Sequence, residues 1–165
     1  MSEKSEHTSC AGSHDPKAIE AVLDMAEAHC SAQGLRLTEG RRKVLGILLR
    51  EHRALGAYEI LDILRAEEDG GASPPIAYRA LDFLTQNGFV HKIERLSAFV
   101  ACMHPDERHS PAFMICRECH AVDEAHVSPA TGALGDAARA KGFQIERTIV
   151  EAEGLCPDCA DAAPV

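Results

Sequence analysis

Apolar residues recur at helical spacing along the first half of the chain and predict its helices. The first helix starts after Asp15, an N-cap residue followed by Pro16 at the first helical position. It ends near Ser31. Thr38 caps the second helix, and the third covers roughly 57–67. Each helix has its leucine, isoleucine and valine side chains on one face, so we expect the three to share a core.

The fourth helix has the most informative pattern, and it runs from Ser73-Pro74-Pro75 to Asn87-Gly88. Its exposed arc carries Tyr78 and Arg79 near the N-terminus. A guanidinium can contact a guanine edge or a phosphate, and a ring can contact a thymine methyl, so this face suits a DNA recognition helix. Periodicity alone favours the plainer interpretation of an ordinary surface helix. The apolar arc consists of Ile76, Ala77, Ala80, Leu81, Phe83 and Leu84.

Two short segments after the fourth helix predict a hairpin. Residues 89–94 and 98–102 have strand composition, and residues 95–97 would turn between them. Helices followed by a hairpin make a winged helix-turn-helix, which we expect to be a DNA-binding domain over residues 16–102. The polar residues 103–111 then predict a hinge between two domains.

The pattern beyond the hinge predicts a small α/β dimerisation domain over residues 112–165. Residues 112–115 form an apolar strand, and a second strand lies around Val122. A helix is expected from about 128 to 141, and residues 143–151 have strand composition. Exposed strands would also suit pairing with a second copy, which predicts a homodimer. The expected fold class is therefore α+β, with the winged helix first.

Two C-x-x-C pairs give the second domain a metal signature. Thirty-six residues separate the pairs, and the four sulfur ligands of two such pairs match the tetrahedral coordination of a structural Zn²⁺. A structural ion would stabilise this domain, because about 55 residues bury little apolar surface on their own. Disulfides, buried thiols and a thioredoxin-like redox pair are the alternatives. The predicted ligands are Cys116, Cys119, Cys156 and Cys159.

A second, mixed set of donors surrounds the predicted hinge. His91 lies on the wing, Cys102 follows the wing, His109 lies in the hinge, and Glu124 comes soon after the first cysteine pair. One thiolate, two imidazoles and one carboxylate suit a tetrahedral Zn²⁺. Metal at this position would fix one domain against the other and bias the chain towards a DNA-competent state. An ordinary surface role is the alternative for any single histidine. Nearby competitors for a ligand position are His104, His120, Asp123 and His126.

Composition bears on the cellular environment that the chain is expected to occupy. Its 165 residues are 45% hydrophobic and include seven cysteines and nine histidines. Such a chain fits metal ligands and free thiols in a reducing cytoplasm better than a disulfide framework. No apolar run reaches the roughly 18–20 residues of a membrane span. Residues 1–15 are polar and lack the apolar core of a signal peptide, and we expect them to be a disordered arm.

The net charge of −9 argues, taken alone, against nucleic acid as a partner. Its distribution changes that conclusion. Between Leu35 and Arg53 there are six basic residues and two acidic ones, so this half of the chain could meet phosphates. A solvated helix face is the alternative. The basic residues are Arg36, Arg41, Arg42, Lys43, Arg50 and Arg53.

Taken together, these segments resemble the ferric uptake regulator superfamily of bacterial metal-dependent repressors, and most closely its zinc uptake regulator branch. The resemblance covers about residues 17–160 in unbroken order. It rests on Arg36-Leu37-Thr38 with the arginine-rich helix that follows, Ala57-Tyr58, and the segments AYRALDFL at 77–84, GFVHKIE at 88–94 and FMICREC at 113–119.

The resemblance implies a repressor, not an enzyme, that binds double-stranded operator DNA as a dimer when zinc is replete. Its targets would be zinc-uptake and zinc-economy genes, with an A·T-rich palindrome as operator. Two Zn²⁺ per chain are implied: a structural ion in the four-cysteine site and a regulatory ion at His91, Cys102, His109 and Glu124.

The resemblance also implies DNA-contacting residues. Tyr78 and Arg79 match the recognition-helix positions of the family, and Tyr58 matches a further DNA-contacting tyrosine. Arg36 and Arg41 lie in the matching arginine-rich segment and are the further candidates for DNA contact.

Two departures from the iron-type members bear on the choice of metal. This chain has Cys102-Met103-His104-Pro105 where those members carry a histidine-rich run, and Lys141 where they tend to have a histidine. A thiolate suits zinc better than an oxygen-and-nitrogen iron site. The alternatives are a related sensor of iron, manganese, nickel or peroxide, and a thiol oxidoreductase that uses the C-x-x-C pairs.

Overall fold

The structure is a computed structural model, and it describes most of the chain between residues 15 and 162. Predictions for the N-terminal arm, for His104 and His109 in the hinge, and for the start of the helix near 128 lie outside the described residues. The described residues are 15–51, 53–67, 71–102, 105, 110–127, 132–146 and 148–162.

The first half of the chain folds into helices around a single core, as the periodicity predicts. Asp15 caps the first helix, because its carboxylate accepts a hydrogen bond of 3.0 Å from the Lys17 backbone N–H. The elements are α1 (Pro16–Ala32), α2 (Glu39–Arg50), β1 (Leu55–Gly56), α3 (Ala57–Glu67), α4 (Pro74–Gln86), β2 (Val90–Ile93) and β3 (Ala98–Ala101).

The hairpin β2–β3 is the predicted wing, and it gains a third strand that the sequence does not predict. Leu55 and Gly56 form β1, which pairs antiparallel with β3 to give the order β1-β3-β2. In α4 the buried residues are Ala77, Ala80, Leu81 and Leu84. Ile76, expected on the core arc, is exposed, because it lies in the first turn of the helix.

The second half forms a three-stranded sheet with two short helices. The central strand pairs antiparallel with one neighbour and parallel with the other, giving the order β5-β4-β6. The elements are β4 (Ser110–Cys116), β5 (Val122–Val127), α5 (Ala133–Ala140), β6 (Val150–Gly154) and α6 (Pro157–Ala162). The expected α+β fold, with a winged helix ahead of a small α/β unit, is confirmed.

The prediction of a strand over residues 143–151 is wrong in position. The strand that forms is β6, and its ladder with β4 runs from Ala112↔Val150 to Cys116↔Gly154. Pairing with β4 fixes its position, because backbone groups in an extended segment need a partner strand. Strand β6 therefore ends beside the first cysteine pair.

A second hydrophobic cluster joins the two halves of the chain. Phe113 and Ile115 of β4 pack with Ile93 and Ala98 of the wing and with Ala54. All five are buried, so the wing lies on the sheet of the second half. Within the part of the chain that the structure describes, no helix combines the length and apolar character that a membrane crossing requires.

Candidate metal centres and nucleic-acid interface

The four cysteines of the two C-x-x-C pairs meet at one point. Cys116 ends β4, and Cys159 lies on α6, whose first turn begins just after Cys156. Their sulfur atoms all lie within 4.8 Å of one another, and Cys119 Sγ is 3.7 Å from Cys156 Sγ. These thiols are free, so the structure does not have the disulfides that were the alternative.

Local backbone geometry prepares this cluster for a cation. Backbone N–H groups, chiefly those of Cys119 and Cys156, point at the Cys116 sulfur and lower the pKa of that thiol to about 6. Hydrogen bonding with the Cys156 thiol, and then with Cys119, raises the pKa of Cys159 to about 12. Four thiolates at this spacing repel one another unless a cation sits among them, and a bound Zn²⁺ supplies that charge. The donor set therefore fits a structural Zn²⁺.

A second cluster of metal-binding side chains lies between the two halves of the chain. His91 is on β2, Cys102 follows β3, and Glu124 is on β5. Their ligand atoms lie within 4.8 Å of one another, and the buried His91 Nε2 is 3.2 Å from Glu124 Oε1. The cluster is shielded from solvent: the Glu124 side chain is 7% exposed and Cys102 is 4% exposed.

Neighbouring residues fix the positions of these three donors. The His91 ring lies 5.5 Å from the Phe113 ring, and the Cys102 backbone N–H donates to the Phe89 carbonyl at 2.9 Å. Glu124 pairs with Phe113 across the β4–β5 ladder. One imidazole, one thiolate and one carboxylate from three elements fit zinc in its usual mixed coordination.

The remaining candidates for this site fall outside the cluster. His109, the fourth predicted ligand, and the competitor His104 are not among the described residues, and the side chain of His126 is not described either. His120 and Asp123 are exposed and do not belong to the group of three.

The residues predicted to contact DNA have differing surroundings. Tyr58 at the start of α3 is 70% exposed, and Tyr78 on α4 is 43% exposed. Arg79 and Arg36 are also exposed. These four side chains are accessible to a partner.

Arg41, by contrast, is held within the domain. Its guanidinium carbon lies 3.5 Å from the centroid of the Phe83 ring, and its Nη1 donates to the Arg36 carbonyl at 2.6 Å. This side chain therefore connects α2 to α4 and to the segment before α2. In the same helix Arg42 forms ion pairs with three carboxylates of α1, those of Glu20, Asp24 and Glu27.

Two residues at the domain contact were not identified from the sequence. Glu151 and Glu153 of β6 reach the turn of the wing. The available signal was their alternation with Val150 and Ala152, because residues two apart on a strand share one face. The predicted strand covered residues 143–151 and ended at Glu151, so it did not include the whole alternating segment.

Comparison with known proteins places these clusters in context. Residues 32–152 match the sequence model of the Ferric uptake regulator family. The chain is similar to the Zinc uptake regulation protein of Escherichia coli (strain K12), with 38% identity over 141 residues, which are 85% of this chain and 82% of that protein.

Solved structures give the same picture. The structure described as a zinc uptake regulator complexed with zinc and DNA has a TM-score of 0.81 and 37% identity, covering 87% of this chain and 96% of the other. Holo XcZur has a TM-score of 0.76 and 42% identity, covering 86% and 98%. Apo XcZur, at the same identity and with 87% and 99% covered, has a TM-score of only 0.51. The arrangement of the described residues is therefore closer to the holo form than to the apo form.

Proposed function

The chain belongs to the ferric uptake regulator family, and from that premise we propose that it senses zinc at the cluster between its two halves. It is a DNA-binding transcription regulator of the zinc uptake regulator type and a metal-responsive repressor, not an enzyme. The proposal concerns which residues hold zinc, how zinc acts, and in what assembly the chain binds DNA.

The cluster of His91, Cys102 and Glu124 is the observation that carries this proposal. One of these donors lies on the wing, one directly follows the wing and one belongs to the second sheet, so an ion bound to all three would tie the domains together. His109 would complete the coordination, since it precedes Ser110, the first residue of β4. A ligand that favours one arrangement shifts the population towards it by its differential affinity. The greater similarity to the holo form of a relative supports the view that this arrangement is the metal-bound one.

The four cysteines have a different role in the proposal. They lie at the far end of β4 and β6 and join elements of the second half only, those ending in Cys116 and beginning at Cys156. Zinc there would contribute folding free energy to a small domain. We therefore assign two Zn²⁺ per chain, one structural and one regulatory.

For DNA, the proposal assigns the exposed face of α4 to the major groove. Arg79 and Tyr78 would contact bases or nearby sugar and phosphate, with Tyr58 and Arg36 as further contacts. Arg41 stays in the proposal only as a residue that supports this surface, because its guanidinium is already engaged by Phe83 and the Arg36 carbonyl.

The homodimer is supported by apolar side chains that the second half leaves exposed. Met114 lies on the face of the sheet opposite to the wing, because it alternates with the buried Phe113 and Ile115. Leu134, Phe143 and Val150 are exposed in the same half. A second copy would cover such a surface. Two recognition helices would then meet half-sites about one helical turn apart.

Metal selectivity tests the zinc assignment. We expect the purified full-length chain to carry two zinc ions, of which mild chelation removes one. A duplex selected by the zinc-loaded protein from a random pool serves as the probe. Zn²⁺ should restore its binding at a lower free concentration than Fe²⁺ or Mn²⁺, because the buried Cys102 thiolate prefers the softer ion. Activation by Fe²⁺ at the lower concentration, or loss of binding on peroxide treatment, would point instead to an iron or peroxide sensor.

A further inference from the structure

The wing contacts the second sheet at a second place, on the strand opposite to the zinc cluster. Strand β4 is central, β5 carries Glu124 on one side, and β6 carries Glu151 on the other. Phe113 pairs with Glu124 in one ladder and with Glu151 in the next, so the three residues form one row across the sheet.

This row faces the wing along its whole length. The Phe113 side chain is buried against Ile93 and Ala98 of the wing, next to the contact between His91 and Glu124. At the other end the Glu151 carboxylate accepts hydrogen bonds from two backbone N–H groups of the wing turn. These donors are Glu94 at 2.7 Å and Arg95 at 3.1 Å.

A charged pair strengthens the same end of the row. Arg95 Nε lies 2.6 Å from one oxygen of Glu153, and Arg95 Nη2 lies 2.9 Å from the other. This fork geometry is the strong form of an arginine–carboxylate contact. Glu153 pairs with the buried Ile115 in the β4–β6 ladder, so it occupies the next row on the face that meets the wing.

We propose that Glu94, Arg95, Glu151 and Glu153 form a wing latch, which holds the domains together without metal and sets the zinc affinity of the regulatory site. The inference rests on the proposed function, because it deepens the role of the His91, Cys102 and Glu124 site. The latch and the zinc site attach the same wing to opposite edge strands of one sheet. Each favours the closed arrangement, in which the wing lies on the second sheet. Each contact therefore stabilises the other by linkage.

The latch would therefore determine the free zinc concentration at which the regulatory site fills. A chain whose closed state is already partly populated binds the regulatory ion more tightly than one that must first close. Among the described residues, the latch belongs to neither metal-ligand cluster, and it contributes only by holding the wing. Its residues are positioning residues for the zinc response.

The test compares Glu151→Ala and Glu153→Gln with wild type, in the full-length zinc-loaded protein. Glu146→Gln is the matched control, because Glu146 is an exposed carboxylate of the same half that belongs to neither metal cluster. Both latch variants leave the positive charge of the wing intact. Zinc affinity is measured by competition with a chromogenic chelator. In a parallel sample of each variant in which Co²⁺ replaces Zn²⁺, the charge-transfer band of Co²⁺ in the four-cysteine site reports whether that domain is folded.

We expect Glu151→Ala to weaken regulatory zinc binding by about three- to tenfold, because two hydrogen bonds to a charged acceptor are lost. Glu153→Gln should weaken zinc binding less, since Arg95 and Glu153 are exposed and solvent screens their attraction despite the fork geometry. With regulatory zinc removed, the backbone amides of Glu94 and Arg95 should exchange hydrogen faster in Glu151→Ala than in wild type, because they lose their acceptor. Arg95→Glu combined with Glu153→Arg should bind zinc more tightly than either single variant.

Zinc affinity of Glu151→Ala within about twofold of wild type would overturn the latch. The Cys102→Ser variant separates this failure from failure of the proposed function. If Cys102→Ser weakens zinc binding and Glu151→Ala does not, the regulatory site stands and the latch is wrong. If Cys102→Ser has no effect either, the regulatory site itself is wrong.

Discussion

At the scale of single residues, Cys102 gives the proposed regulatory cluster its distinctive donor. It is the only sulfur donor among the three described side chains there, and it is almost fully buried. Zinc coordinates cysteine as the thiolate, and Cys102 would supply that ligand from a site shielded from solvent. The softness of the sulfur then favours Zn²⁺ over Fe²⁺ and Mn²⁺.

Arg79 tests the DNA-binding face at the same scale. If the Arg79 guanidinium contacts a base, Arg79→Ala should weaken operator binding by about 1–3 kcal/mol. It should also relax the base preference at the contacted position of the operator. Arg139→Ala, which removes an exposed arginine of α5, is the control and should leave the affinity unchanged. Fluorescence anisotropy with the selected duplex measures both. Unaltered binding by Arg79→Ala would remove this residue from the recognition face.

At the scale of elements, the contact between α2 and α4 positions the proposed recognition helix. Phe83 of α4 lies beneath the Arg41 guanidinium of α2, and that guanidinium also holds the Arg36 carbonyl. Arg42 binds α1 through three carboxylates. Two consecutive arginines therefore connect α2 to helices on either side, which explains part of the basic cluster without DNA.

Arg41→Ala should therefore lower stability, not only affinity. We expect a loss of about 1–2 kcal/mol in the free energy of unfolding, from the cation–π contact and the hydrogen bond. Arg79→Ala, on the exposed face, should change that free energy by no more than about 0.5 kcal/mol. Urea denaturation of the zinc-loaded protein measures both. Equal stabilities would show that Arg41 is as free as Arg79 to contact DNA.

Local signals explain why the helices could be predicted and the strands only in part. Helices α1 to α4 have periodicity within their own sequence, and α1, α2 and α4 also have N-cap residues, so the predicted boundaries match the structure closely. Strand β1 has two residues and exists only through pairing with Phe99 and Ala98. Strand β6 lies where its pairing with β4 places it. Its position depends on residues about 40 apart in sequence, which no local pattern encodes.

The two candidate metal sites also differ in how far local sequence predicts them. Spacing alone groups the four cysteines, because each pair spans one tight turn. The residue types of the mixed site were also apparent from the sequence. Its compactness depends on the pairing of Phe113 with Glu124 and on the wing packing against β4. The role of Glu151 depends on the same long-range packing, so it appears only in the structure.

At the scale of the whole molecule, the protein has two halves joined by the wing. The wing contacts the second sheet at the cluster of His91, Cys102 and Glu124, at the buried Phe113 and at the Glu151 edge. The four-cysteine cluster lies apart from this contact and holds the ends of β4 and β6 to α6. The proposed function therefore places sensing and folding at different metal ions.

Loss of zinc from the four-cysteine cluster should therefore affect the whole of the proposed dimer. Cys156→Ser removes one ligand, and apparent zinc binding energies of order 10 kcal/mol are folding energy in such domains. We expect the second half to lose its fold and the chain to become monomeric, as measured by circular dichroism and light scattering. The Cys102→Ser variant should keep both fold and dimer. The opposite pattern would mean that the roles of the two sites are exchanged.

The most direct test of the account is a zinc titration of operator binding with Cys102→Ser. Cys30→Ser is the matched control, because Cys30 is a fully buried thiol in the core of the first half, away from both clusters. We predict that Cys102→Ser requires a much higher free zinc concentration for binding, while Cys30→Ser responds at the wild-type concentration once folded. An unchanged zinc midpoint in a folded, dimeric Cys102→Ser protein would contradict zinc sensing at this site.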